Sequence, residues 1–438
     1  MRRPSLKNRI KWIGIAFLIV FPFIFLGSIH IGAISVRMTV AYGLLLFFLC
    51  KRMLSVHVNR DSFDFMPTKE MIMYYVYLAV YIFVSLLNLS ASNISFFKEL
   101  IAVHFVCCIA IFVIPKIFKN ETSIQGAFIV IVFGFILNAL ATILQAQDIP
   151  LGWALGMSIN QTEIEALDEL QSNHVDPNEL KQSIYMGIMG RAVGNGYFIA
   201  TFLPVMTYYI WDKFKLKTLW SFIVFAITFV CIYYIQQRMT VIVVATYIIC
   251  IIMLKKSSWP LKISMILIIL FTINYYRDSI MNYDYTQVGR IADLSDEKRS
   301  STFDVLDDFI SKPSNLFIGN NQITNTEEKD VFLVIGHNTF TDTIRMGGVV
   351  LLIPFLTLFY CLCKSLIKMF LFSRKVKDYL TMGMAMGCLC FLFYSQTHST
   401  GVQSGSIMFW TLYMLCIQSY RLKYRQLYMY KKRGCHKR

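Results

Sequence analysis

Charged residues are scarce in this chain, and its two long polar stretches contain no cysteine. Only 16% of the 438 residues are charged whereas 56% are hydrophobic, and apolar runs of about 20 residues recur from end to end. This composition excludes an ordinary soluble globular domain. Because residues 147–183 and 275–338 lack cysteine, no structural disulfide is expected there.

Metal-ligand patterns are also missing from the sequence. The acidic residues of the two polar stretches never form an Asp-x-Asp spacing. The pairs Cys361/Cys363 and Cys388/Cys390 lack the spacing of metal sites. We therefore predict neither a metal nor a cofactor.

The apolar runs predict an all-α, polytopic membrane protein with about twelve transmembrane helices. The run at 261–274 is too short to cross alone, so we expect it to use the following tyrosines as an interfacial anchor. The first run follows a basic leader and is interpreted as an uncleaved helix. The predicted spans are 12–30, 31–50, 71–90, 96–114, 124–146, 184–210, 218–235, 239–254, 261–274, 340–363, 379–395 and 405–420.

The charge distribution predicts the orientation of these spans. The two termini and the short connections predicted on the same side of the membrane hold 30 Lys/Arg and 6 Asp/Glu. The two long loops hold 7 Lys/Arg and 18 Asp/Glu. The positive-inside rule then places both termini in the cytoplasm and both loops outside. The net charge of +16 thus indicates topology and contact with anionic membrane lipids, and it does not indicate a nucleic-acid partner.

These boundaries divide the chain into six predicted regions. The first five spans are apolar all round, so we expect them to act as a scaffold with little chemistry. The regions are the scaffold 1–146, an acidic external loop 147–183, spans six to nine at 184–274, the large external loop 275–338, the C-terminal spans 339–420 and a basic tail 421–438.

Several cations fall at the external ends of spans, where the positive-inside rule gives no reason to keep them. A cation at bilayer depth costs a few kcal/mol and is a functional candidate by default. Arginine binds phosphate through bidentate contacts, so the expected partner is a lipid-linked diphosphate. The charged residues at these ends are Arg37, Lys98, Glu99, Arg191, Arg238, Asp342 and Arg345.

The polar passage from Arg290 to Gly348 holds the best candidate for a general base. His337 is one of two histidines in the long loops, the other being His174. It stands at a predicted helix start, where it could take a proton from an attacking hydroxyl. His398, in the last short external loop, is a weaker candidate.

Simpler interpretations of the same residues remain open. His337 and Asn338 could cap the helix, while Asp342 and Arg345 could pair at i,i+3. The glycines around Arg191 could serve helix packing alone, and Arg238 could extend to water from the membrane surface. In the large loop, an amphipathic helix at 303–310 is predicted to end at Lys312-Pro313-Ser314.

The sequence contains four short motifs, which are Gly190-Arg191-Ala192-x-Gly194, Gln237-Arg238, Arg299-x-x-x-Phe303 with Lys312-Pro313 and Gly319, and His337-Asn338-x8-Gly347. Together they resemble the motifs of the O-antigen polymerase and ligase superfamily. The large-loop motif departs from the family pattern, because the family often has Trp where this chain has Phe303 and Gly-x-Gly where it has Gly319-Asn320-Asn321.

The resemblance implies an integral-membrane, GT-C-type glycosyltransferase that works without a metal at the periplasmic face of the bacterial inner membrane. The implied substrate is an undecaprenyl-diphosphate-linked oligosaccharide, with a chain-length regulator and a flippase as candidate partners. His337 would be the base. Substrate contacts would come from Arg191, Arg238 and Arg299, and further candidates are Arg37, Arg290, Asn338 and Arg345.

Three alternatives remain. Ligases of this superfamily often carry His-x-His-Asn, and Ile335 at the first position favours a polymerase of O-antigen or capsular repeat units. A flippase or transporter without catalysis predicts internal repeats and polar residues at the membrane midplane, and no repeat is evident. A purely structural membrane protein does not explain two long external loops.

Overall fold

A computed structural model shows a helical bundle. It describes residues 5–26, 30–31, 34–54, 68–88, 97, 100–156, 187–189, 192–235, 237–254, 259–260, 263–264, 267, 309–320, 338–397 and 401–435. Apart from one two-residue antiparallel ladder, in which His30–Ile31 pairs with Ile34–Ser35, the regular elements within those ranges are helical. The all-α prediction is therefore confirmed for the described chain.

A π-helical stretch, Leu100–Phe105, leads directly into the helix that begins at Val106, and residues 150–156 and 309–311 are also helical. The helices are α1 (Leu6–Phe25), α2 (Val36–Leu54), α3 (Lys69–Leu87), α4 (Val106–Ile117), α5 (Glu121–Ala146), α6 (Ala192–Lys213), α7 (Lys217–Ile235), α8 (Arg238–Leu254), α9 (Pro313–Ile318), α10 (Thr339–Val376), α11 (Tyr379–Tyr394) and α12 (Ile407–Cys435).

Every predicted span except 261–274, which lies largely outside the described residues, overlaps a helix. Within the described ranges, six helices are long and apolar enough to cross a membrane. Two shorter apolar helices, at Met239–Leu254 and Tyr379–Tyr394, accompany them. The chain is thus built as a membrane protein, while the number of crossings stays a prediction.

Local sequence explains where the helices begin. The side chain of Asn120 accepts a hydrogen bond from the backbone of Ser123 at 2.8 Å and so caps α5. Thr68 caps α3 in the same way, through the backbone of Met71. These polar caps satisfy amide groups that the first helical turn cannot pair internally.

The helix α11 lies at the centre of the bundle, since buried residues occur on all its faces. Its glycines allow α6 to approach closely: a Cβ on Gly387 would lie 2.6 Å from the carbonyl oxygen of Thr201. Small residues have this role in membrane helix pairs, because they let backbones come into contact. The α6–α11 pair therefore forms the rigid centre that positions the neighbouring helix ends.

Contacts between helix ends define the two ends of the bundle. At the first, which we call the loop end, Gln147 donates to the Tyr234 hydroxyl at 3.0 Å. At the second, the basic end, Arg374 donates to the Leu254 carbonyl at 2.7 Å and Lys423 lies 3.5 Å from Glu121. The chain thus alternates in direction, as the predicted spans require.

The helix α10 is a hairpin rather than one straight rod. The rings of Phe340 and Phe359 lie 5.5 Å apart, whereas a straight helix would separate these residues by about 28 Å. The chain reverses at Gly347–Gly348, whose backbone angles are not helical. This corrects the predicted span 340–363: the segment up to Met346 folds back, and the long helix begins after Gly348.

The short helix α9 packs on this reversal. A Cβ on Gly348 would lie 2.4 Å from the carbonyl carbon of Phe317, and the Asn320 amide donates to the Arg345 carbonyl at 2.8 Å. Asn88, after α3, donates to the Ile318 carbonyl at 3.0 Å. The Lys312-Pro313 break separates helical residues 309–311 from α9, and Pro313 also starts α9.

Candidate functional site

At the loop end, the starts of α6 and α8 meet the end of α11. The hydroxyls of Thr240 and Tyr394 lie 3.2 Å apart. A Cβ on Gly196 would lie 2.2 Å from the Thr240 hydroxyl oxygen and 3.2 Å from that of Tyr394. Glycine is therefore required at 196 for this contact, which holds the beginnings of α6 and α8 side by side.

The hairpin of α10 adds a fourth segment. Because its first arm folds back, Thr339 reaches the end of α11, where its hydroxyl donates to the Ser395 carbonyl. Asn338 begins this arm and caps it, accepting a hydrogen bond from the Phe340 amide at 2.8 Å. The capping role considered for Asn338 is thus confirmed, whereas its substrate contact stays a prediction.

These contacts bring together described segments that adjoin three of the predicted site residues along the chain. Arg238 is the first residue of α8, and its side chain lies outside the described part of the structure. Ala192, which follows Arg191, starts α6, and Asn338 follows His337. The predicted residues that lie outside the described ranges altogether are Lys98, Glu99, Arg191, Arg290, Arg299, His337 and His398.

Helix direction gives this region a common electrostatic character. The helices α6, α8 and α10 all begin here, and a helix N-terminus carries about half a positive charge from its aligned peptide dipoles. Three such termini near one another favour an anion. The geometry therefore suits a negatively charged group, whichever side chains contact it.

Arg345 pairs with Asp342, as the simpler interpretation of an i,i+3 ion pair predicted. One guanidinium nitrogen lies 2.8 Å and another 3.1 Å from the same carboxylate oxygen. Both side chains are buried, at 7% and 5% exposure. The side chain of Gln403 also hydrogen-bonds Asp342. A substrate contact by Arg345 stays a prediction.

Arg37 has a structural partner as well. Its guanidinium donates to the carbonyls of Pro22 and Ile24, each at 3.4 Å, in the last turn of α1. Cations are favourable there, because the last carbonyls of a helix lack internal partners and carry partial negative charge. Arg37 thus joins α2 to the end of α1, and its predicted contact with substrate is untested.

Gln403 belongs to a loop, residues 401–406, that the sequence did not single out. The Tyr77 hydroxyl donates to the Gln403 carbonyl at 3.0 Å, and the Cys107 thiol lies 3.0 Å from the Gly405 carbonyl. Gly405 has a φ of 73°, and a Cβ there would lie 2.7 Å from Val103. Because these contacts join distant parts of the chain, no local pattern announces them.

The helix α5 carries a buried polar face, so the expectation that the first five spans are apolar all round is wrong for the fifth span. The Gln145 amide exchanges two hydrogen bonds of 2.9 Å with the backbone of Gly187, and Asn138 accepts from the Ile188 amide at 3.0 Å. Asn138 also donates to Asn195 at 2.7 Å. Polar residues at 138, 142 and 145 share one helical face, a signal that the sequence did contain.

This network anchors the chain on both sides of Arg191. Residues 187–188 are bonded to α5 before it, and Asn195 is bonded to α5 after it, with the Thr142 hydroxyl 2.8 Å from the Asn195 amide. Every polar group named here has a hydrogen-bond partner, so the network is rigid and its burial is compensated. It positions the ends of the intervening segment.

Within the described ranges, no group of three His, Cys, Asp or Glu side chains could hold a metal ion. The candidate site consists of the starts of α6 and α8, the capped hairpin of α10 and the polar face of α5 that anchors the chain before α6. A scan of protein-family models and a search of curated proteins find no match to this chain.

Proposed function

We propose that this protein is a glycosyltransferase that polymerises undecaprenyl-diphosphate-linked oligosaccharide repeat units of O-antigen or capsule at the periplasmic face of the bacterial inner membrane. The observation that carries the proposal is the contact among Gly196, Thr240 and Tyr394, joined through Ser395 to Thr339. This contact supports the proposal because Gly196, Thr240 and Thr339 follow Arg191, Arg238 and His337 by at most five positions in the chain. The three segments are far apart in sequence and yet meet at one end of the bundle.

The proposed reaction divides between two kinds of group. His337 takes the proton from the acceptor hydroxyl as its oxygen attacks the anomeric carbon of the donor sugar. The bond from that carbon to the diphosphate oxygen breaks, and the diphosphate leaves on its lipid with the electron pair. Arg191 and Arg238, with Arg290 and Arg299 as further candidates, stabilise the added charge.

The scaffold supports this division, because it anchors the chain close to Arg191 and His337. The α5 network holds residues on both sides of Arg191, and the Asn338 cap with the α10 hairpin holds the residue after His337. Rigid positioning matters for transfer chemistry, since displacements of about 1 Å can cost a hundredfold in rate.

A gene deletion tests the proposal and separates it from the ligase and transporter alternatives. Surface polysaccharide is resolved on a gel, and the lipid-linked pool is extracted from the same cells. We expect lipid A–core carrying single repeat units and no ladder. Polymer retained on the carrier beside bare core would instead identify a ligase. A lipid-linked unit that stays inaccessible from the periplasm would identify a flippase, and an unchanged ladder would overturn all three.

A further inference from the structure

The basic end of the bundle contains a cleft that the proposed reaction does not use. It has a volume of about 420 Å³ and lies where four parts of the fold meet. These are the start of α5, the end of α6, the turn between α10 and α11, and the middle of α12. The cleft lies at the opposite end from Thr240 and Thr339, so it is separate from the candidate site.

A buried carboxylate lines this cleft. Lys377 adopts a left-handed conformation, with a φ of 56°, that ends α10, and the turn places Asp378 directly before α11. Asp378 is only 6% exposed. Its carboxylate accepts a hydrogen bond from the Thr381 hydroxyl at 2.6 Å, and the Ser419 hydroxyl lies 2.7 Å from that of Thr381.

Among the side chains that the structure describes, none brings a cation within ion-pair distance of Asp378. The nearby Lys423 lies 3.5 Å from Glu121 instead. Burial raises the pKa of the Asp378 carboxyl, and the Thr381 hydrogen bond and Lys423 offset this only in part. A buried carboxylate that borders a cleft and has no ion-pair partner favours a bound cation.

The rest of the lining favours a phosphate beside that cation. Three lysines, Lys213, Lys377 and Lys423, balance the three carboxylates of Glu121, Asp212 and Asp378, so the cleft has no net formal charge. Apolar side chains, including the partly buried Leu422 and the exposed Leu427, also line the cleft. A zwitterion with an acyl anchor matches both properties.

We propose that this cleft binds a primary ammonium joined to a phosphate, the chemistry of an aminophospholipid headgroup. The ammonium donates to the Asp378 carboxylate, and the phosphate contacts Lys377 and Lys423. The charge pattern of the loops assigns this end to the cytoplasmic side, where inner-leaflet headgroups are available. Free phosphoethanolamine presents the same chemistry without acyl chains.

The test compares lipids that differ only in the headgroup. The purified full-length protein is titrated with phosphatidylethanolamine, phosphatidylcholine or phosphatidylglycerol of identical acyl chains, and binding is measured by native mass spectrometry. We expect phosphatidylethanolamine to bind about tenfold more tightly than phosphatidylcholine, because a quaternary ammonium cannot donate a hydrogen bond. Equal binding of these two lipids would overturn the proposal.

Two variants sharpen the result. Asp378→Asn keeps the size of the side chain and an oxygen that accepts from the Thr381 hydroxyl but removes the charge, so the preference should disappear while the fold is retained. Asp148→Asn, at the loop end, makes the same replacement outside the cleft and should keep the preference. If Asp378→Asn still prefers phosphatidylethanolamine to phosphatidylcholine, Asp378 is not the group that binds the ammonium.

Competition distinguishes the two sources of the ligand and does not depend on any variant. If free phosphoethanolamine displaces the lipid while phosphocholine does not, the headgroup alone is recognised. If neither displaces it, the acyl chains are needed and the ligand is the lipid. Displacement by phosphocholine equal to that by phosphoethanolamine would contradict ammonium recognition. None of these outcomes bears on the polymerase proposal, which concerns the other end of the bundle.

Discussion

Gly319 and Gly348 lie against each other where α9 meets the reversal of α10. Both have a positive φ, 66° and 58°, and a Cβ on Gly319 would lie 2.8 Å from the Gly348 amide nitrogen. Two glycine-only backbone conformations in contact make the reversal specific, since side chains at either position would separate the segments. This contact joins the large loop to the hairpin that begins at Asn338.

Replacing Gly348 by Ala should therefore destabilise the protein by at least about 2 kcal/mol, from the left-handed conformation and the clash with Phe317. The thermal unfolding of purified protein measures the change. Gly43→Ala is the matched control, because nothing lies within 4 Å of its added Cβ. In the middle of α2, alanine should be neutral or stabilising. Equal stability of Gly348→Ala and the parent would contradict the hairpin.

The Asp342–Arg345 pair allows its structural and catalytic roles to be separated. Arg345→Met alone leaves a buried carboxylate without its cation and should cost about 3–5 kcal/mol. The double variant Asp342→Leu/Arg345→Met should recover most of this loss, as measured by thermal unfolding. If the stable double variant makes no polymer, the pair itself acts in the reaction. A normal ladder would leave it only the structural role.

The polar face of α5 can be tested at its centre. Asn138→Leu removes the acceptor of the Ile188 amide and the donor to the Asn195 side-chain oxygen, and it should destabilise the protein by about 1–3 kcal/mol. Polymer yield should fall further than stability explains, because the chain around Arg191 loses its anchors. Thr228→Val, which removes one bond within α7 to the Val224 carbonyl at 2.7 Å, is the control and should change little.

His337→Ala should abolish polymer while leaving the protein level intact, because a general base contributes about a hundredfold to ten-thousandfold in rate. The gel ladder and an immunoblot measure the two quantities. His174→Ala replaces the other histidine of the long loops and should leave the ladder unchanged. Full-length polymer from His337→Ala would remove the base assignment.

Arg238→Lys tests the bidentate contact, since lysine keeps the charge and loses the planar fork. We expect polymerisation in membranes to fall about tenfold or more, because hydrogen bonds between charged groups of this kind contribute about 1.5–3 kcal/mol. Arg425→Lys makes the same exchange at the basic end and should have no effect. Normal activity of Arg238→Lys would show that charge alone suffices.

The sequence by itself determined the features that depend on neighbours along the chain. Apolar runs predicted the helices, because burial in lipid requires about 20 apolar residues in a row. The Asn338 cap and the Asp342–Arg345 pair followed from spacings of two and three residues. Such local interactions can be derived from the order of residues alone.

Only the tertiary structure decided which distant residues meet. The reversal of α10, the contact of Gly196 with Thr240 and Tyr394, and the bonds from Arg37 to the end of α1 each join segments that no periodicity relates. The spacing of the polar residues on α5 is present in the sequence, but their hydrogen-bond partner at Gly187 could not be derived from it. Buried polar groups must be hydrogen-bonded, and the sequence alone offers several possible partners for each of them. The packing of the helices decides which of these partners each group meets.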